Sequence, residues 1–128
     1  MQNSNYSKAI LDFDGYNNTQ KIIETLSGYT DSQGITGAPA AEACVNYTFP
    51  NGNKGYLPAF GELNMAENNI VAINSARTLI GAYKISSGYS WSSTMYYSDT
   101  VWVLSLNSGS YTNKYAHEKL TVWILTTI

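Results

Sequence analysis

The stretch Tyr89–Ser110 reads "YSWSSTMYYSDTVWVLSLNSGS", and within it the chain changes its period. Trp102, Leu104 and Leu106 alternate with Val101, Val103 and Ser105, the two-residue repeat of a strand, and Asn107 to Gly109 read as the turn that ends it. Upstream of that strand, Tyr89 to Trp102 hold no His, Cys, Lys or Arg and a single acid, Asp99. Rings and hydroxyls are denser there than anywhere else in the chain. Either this is a core strand with polar flanks, or it is a surface built to touch something.

Outward from this stretch, the preceding two thirds of the chain are helical in pattern. "NNTQKIIETLSG" carries Asn and Thr as N-cap candidates, an apolar face of Ile22, Ile23 and Leu26, and Gly28 as a stop. Tyr29 to Pro39 is rich in Gly and polar residues and reads as loop. "APAAEACVNYTF" reads as a short helix with Pro39 suited to its first turn, and "PNGNKG" as a turn. Leu63, Met65 and Ala66 open a further helix. Ile70, Ile73, Ala76 and Ile80 recur at helical spacing, with a break at Asn68 and Asn69 between two consecutive helices. After the alternating strand, "KLTVWILTTI" is apolar on both faces and is expected to be a central strand. The fold class is α+β, a single domain over 1–128, without internal repeat or linker.

Composition narrows the function. Of the 128 residues only 12% are charged, about half the usual share, and eleven are tyrosines. Such a surface acts through neutral hydrogen bonds and ring faces. A net charge of −2 carries no nucleic-acid footprint. No apolar run approaches the roughly 20 residues of a membrane span, so membrane insertion is not expected. The opening "MQNSNYSKAILDFDG" lacks the pattern of a signal peptide.

Chemistry finds few candidates. The one cysteine, Cys44, sits among alanines on a short helix and reads as a small buried apolar residue, not a nucleophile. One His and one Cys do not supply a zinc site, and no calcium loop or phosphate-binding glycine loop is present, so neither metal nor cofactor is expected. His117 stands beside Glu118. Asp12 and Asp14 flank Phe13, sharing one side of a strand or entering a turn at Gly15. An enzyme built from Glu62, His117 and one of those acids is the minority reading.

Contact chemistry is better supplied. Tyr and Trp give stiff, amphipathic area at small entropic cost, and Ser and Asn give adaptable hydrogen bonds. Trp91, Trp102 and Trp123 read as core. Tyr96, Tyr97, Ser98, Asp99 and Thr100 cannot all point inward, and read as an exposed loop. The same holds for Asn107 to Tyr115.

These motifs, taken in order, resemble a bacterial and phage family. "AAEACVNY", "GYLPAFGEL", "IVAINSARTLIGA" and "YSWSSTMYYSDTVWVLSLNSGS" are similar to the C-type-lectin-like fold of the DUF1566 type. That type is related in architecture to the formylglycine-generating-enzyme branch and to the variable proteins of diversity-generating retroelements. The resemblance runs from about Asp12 to the C-terminus. It implies short helices packed on small twisted antiparallel sheets, with the ligand face built from C-terminal strands and loops. Carried over, the ligand-binding candidates are Tyr89, Tyr96, Tyr97, Ser98, Asp99 and Thr100, with Asn107, Ser108, Ser110, Tyr111 and Asn113 from the second loop. Leu57, Pro58, Glu62, Leu63, Trp91, Ser92, Ser93 and Trp102 match the scaffold part.

Three departures shape the expectation. The family's "VR-x-V" ending is "VWIL" here, with Trp123 in place of the Arg, so a scaffold ion pair to an acid such as Glu62 would be lost or replaced. The calcium-lectin signatures are absent. The paired cysteines of the formylglycine-generating enzymes are absent too. The resemblance therefore implies a calcium-independent, non-enzymatic module. Its partner would be a cell-surface protein or glycan receptor, met from a virion or bacterial surface, with homo-oligomeric display adding avidity. A decoration domain without ligand is the alternative.

Overall fold

The computed structural model describes residues 4–97, 100–115 and 120–126. Five helices precede three strands among them: α1 (Tyr6–Ala9), α2 (Gly15–Leu26), α3 (Pro39–Asn46), α4 (Phe60–Asn68), α5 (Ile70–Leu79), β1 (Tyr89–Tyr97), β2 (Thr100–Ser105) and β3 (Tyr111–Tyr115). The α+β class and the order of helices before strands agree with the sequence reading.

Local chemistry accounts for the helix limits. Pro39 opens α3, where a missing N–H costs nothing. Gly28, at φ 75°, follows α2 in the left-handed region. Glu62 in the first turn of α4 reaches back to the Ala59 N–H at 3.1 Å, and Asn69 separates α4 from α5 as expected. The apolar face expected for α5 is only half used. Ile70 is buried and Ile73 half-buried, but Ala76 and Ile80 are exposed.

The sheet is an antiparallel meander in the order β1-β2-β3. β2 is buried along its whole length because each of its faces has its own core. Trp102, Leu104 and Leu106 join Phe60, Leu63, Ile70 and Ile85 on the face covered by α1, α4 and α5. Val101 and Val103 join Trp91, Leu57 and Cys44 on the other. The alternation in "VWVLSL" thus divides two cores, not core from solvent.

The C-terminal segment departs from expectation. Residues 120–126 form no central strand. They meet β1 in one parallel bridge, Ser90 with Thr121, and meet Tyr56 in an antiparallel bridge at Leu125. Trp123 packs into the first core while Leu120, Val122 and Ile124 pack into the second. Apolarity on both faces here marks a clasp along the sheet edge that touches both cores. The central strand is β2.

Candidate functional site

Two polar junctions tie the elements together, one on Asp12, which the sequence offered as a turn or catalytic acid, and one on Glu62, which the resemblance placed in the scaffold. Asp12 Oδ2 accepts from Thr94 Oγ1 at 2.8 Å and from Asn18 Nδ2 at 2.9 Å, while Thr94 Oγ1 accepts the Phe60 N–H at 2.9 Å. Glu62 accepts from the Gly15 and Ala59 N–H groups and, at 2.9 Å, from the Tyr56 hydroxyl. Burial and the Glu62 carboxylate push the Tyr56 phenol up to about 12. Glu62 thus meets three donors and no ion-pair partner among the described residues. Trp123 lies beneath the Arg77 guanidinium, 5.7 Å from its ring centre.

Close approach of backbones completes the junction. A Cβ on Gly61 would come within 2.5 Å of the Asp12 and Ile10 carbonyl oxygens, so only glycine lets the Gly61 N–H reach the Asp12 carbonyl at 2.9 Å. Within β1, Ser92 Oγ donates to the Trp102 carbonyl at 2.7 Å beside the bulge that breaks register between Trp91 and Met95. Ser92, Ser93 and Thr94 are all buried; the Ser92 and Thr94 hydroxyls are bonded within the fold, and the Ser93 hydroxyl has no partner among the described residues. Asn74 clamps Ile85 from both sides, accepting its N–H at 2.7 Å and donating to its carbonyl at 3.2 Å. That pins the segment leading into β1. Cys44 is buried, and desolvation raises its thiol to about 11, which fits the apolar role.

The ligand candidates separate into three groups. The first gathers around Trp102. Tyr96 meets its ring edge-on at 5.2 Å and Tyr111 lies 6.0 Å away on the next strand. Asn113 is the cross-strand partner of Trp102. Tyr6, which the sequence reading missed, stacks on Tyr111 at 4.1 Å with the rings 19° from parallel. Its position at the chain start, far from the polar-aromatic run, gave no signal. Tyr111, Asn113 and Tyr115 alternate along β3, so they share the Trp102 face. Tyr97, Tyr115 and Tyr111 are 61%, 52% and 47% exposed. The Asn113 carboxamide makes no hydrogen bond among the described residues. Tyr111 and Asn113, expected in a loop, belong to an edge strand.

The second group lies at the other end of the sheet. In a meander, successive turns fall at opposite ends, so Asn107, Ser108 and Ser110 stand about six residues of strand, roughly 20 Å, from Tyr97. The two stretches expected to form one contact surface do not meet. Asn107 is also committed to the fold. It adopts φ 70°, its N–H donates to Glu67 Oε2, and its carboxamide donates to the Ile85 carbonyl. Ser108 Oγ turns back to the Ser105 carbonyl at 3.4 Å.

The third group is inaccessible or lies elsewhere. Thr100, expected to be exposed, is 7% exposed, because β2 starts there and not after a longer loop. Tyr89 packs partly into the second core, on the opposite face from Trp102, with Lys114 Nζ 5.8 Å from its ring centre. Ser98, Asp99 and His117 lie outside the described residues.

Chemically, the Trp102 face offers tyrosine rings, their hydroxyls and one open carboxamide on a hydrogen-bonded sheet. That set stacks and hydrogen-bonds. Among the described residues no three His, Cys, Asp or Glu side chains gather as metal ligands, and no helix is long and apolar enough to cross a membrane. Comparison with protein-family models, curated proteins and solved structures finds no match for this chain.

Proposed function

We propose that the chain is a non-enzymatic recognition module of C-type-lectin-like type that binds a cell-surface protein or glycan receptor without calcium. The observation that carries this reading is the Trp102 face. Tyr96, Tyr111 and Asn113 surround the buried Trp102, and Tyr97, Tyr111 and Tyr115 beside it are exposed. A ring that is already ordered by Trp102 and Tyr6 loses little entropy on contact, which is what a binding surface needs. Few charges mean weak electrostatic steering, so the on-rate is modest and multivalent display supplies avidity. Presentation on a virion or bacterial surface belongs to the same proposal and rests on the family resemblance.

The test is a screen of the chain, displayed multivalently, on a glycan array and on intact bacterial cells, with and without EDTA. Binding that survives EDTA and is lost in a Tyr97→Ala/Asn113→Ala double variant supports the proposal. Neither side chain contributes to the ring cluster, so the variant keeps its fold. Absence of binding to both surfaces favours the decoration domain. The apolar, exposed Val71 and Leu79 on α5 would then be where it packs against its assembly.

A further inference from the structure

A second site lies away from the tyrosine face. The chain's one arginine, Arg77, sits in the last turn of α5 and borders a cavity of about 210 Å³ together with Lys84, Ser87, Ser90, Thr121 and Trp123. None of the ligand candidates from the sequence borders it. We propose that this cavity binds a small organic carboxylate, such as an acidic sugar or a peptide C-terminus.

Four observations converge on it. Arg77 is held, not loose: its Nε donates to the Tyr83 carbonyl and its guanidinium lies over the Trp123 ring, which leaves the terminal nitrogens to act as a carboxylate fork. Lys84 adds a second positive charge, and no acidic side chain lines the cavity. Neither cation has an ion-pair partner among the described residues. The negative end of α5 is blunted. Gly81, at φ 75°, lets its own N–H cap the Thr78 carbonyl at 3.1 Å and that of Ala82 cap the Arg77 carbonyl at 2.8 Å. Finally, Ser90 is 0% exposed, and its hydroxyl has no partner although it borders the cavity. A buried hydroxyl without a partner is costly, and a ligand oxygen would satisfy it. The indole wall beside the two charges favours a carboxylate on an organic body over a bare ion.

The test is titration of the whole chain with glucuronate, with glucose as the neutral control, and with a short peptide carrying a free or an amidated C-terminus. Binding is followed by the NMR signals of the Arg77 Nε–H and the Trp123 indole N–H. Saturable shifts with glucuronate or the free-acid peptide, and none with glucose or the amide, are expected; the arm that saturates identifies the source of the carboxylate. Lys84→Gln, at the surface, should weaken binding by about fivefold to tenfold. Ser90→Ala should weaken it similarly while leaving thermal stability unchanged or higher, an outcome that a purely structural serine would not produce. No shift up to about 10 mM, tenfold above a millimolar constant, would overturn the proposal. So would equal binding by inorganic phosphate, or unchanged affinity in both variants.

Discussion

The two halves of β1 look alike in sequence and behave differently. Ser90 to Thr94 and Met95 to Tyr97 both belong to one polar, ring-rich run, yet the first half is buried and the second emerges to solvent. The difference is supplied from outside the strand. Pro58 offers its carbonyl to the Ser93 N–H at 2.8 Å, Phe60 donates to Thr94, and Asp12 takes the Thr94 hydroxyl from 82 positions away. Among the described residues no comparable partner covers Tyr97. The Ser92 and Thr94 hydroxyls serve the fold because a backbone carbonyl and an acid meet them.

Removing the acid should break that contrast most severely. Asp12→Ala would leave the buried Thr94 hydroxyl and Asn18 carboxamide without their acceptor. A loss of about 3 kcal/mol or more in urea unfolding is expected. Thr94→Val keeps the shape and deletes only the hydroxyl, taking one donor from Asp12 and the acceptor from the Phe60 N–H, with an expected loss of about 1–3 kcal/mol. If either variant unfolds at the wild-type urea midpoint, the buried half of β1 is not held by this junction.

A subtler version of the same test uses pH. Tyr56 is raised in the folded state above its ordinary value of 10. Its contribution is therefore fully present below pH 10 and is lost as pH rises through about 12, since the folded state then holds a proton that the unfolded state has released. Tyr56→Phe should flatten the alkaline decline in stability between those values. Cys44, raised from 9 to about 11, titrates in an overlapping window, so the comparison is best made in a Cys44→Ala background. An unchanged alkaline slope would separate Tyr56 from Glu62.

Much of the scaffold was legible from local signals. Pro39, Gly28 and Asn69 act where their backbone preferences predict, and Cys44 is buried among alanines as its neighbours suggest. What stayed hidden depended on distant partners. Thr100 looks like a loop residue until β2 is known to begin there. Asn107 looks like a ligand residue until its left-handed backbone and its bond to Glu67 are seen. The C-terminal run mimics a central strand because it touches two cores, a property of position that composition cannot express. The contact face suffered in the same way. Chain order places Tyr96 and Ser108 in neighbouring loops, whereas meander geometry puts them at opposite ends and recruits Tyr6 instead.

The smallest effect on the fold should come from Tyr97→Ala, and it is the most informative. Tyr97 is the most exposed ring on β1 and makes no ring contact among the described residues, so its truncation should change stability by about 0.5 kcal/mol or less. Tyr96→Ala, one residue earlier, removes an edge contact to Trp102 from a half-buried site and should cost about 1–3 kcal/mol. Measured together by thermal unfolding, the two variants locate the boundary between the structural and the contact half of the strand to a single residue. A Tyr97 variant as unstable as the Tyr96 variant would place that ring in the core and move the contact surface onto β3 alone. A Tyr97 variant that is stable but no longer binds would fix the boundary between Tyr96 and Tyr97.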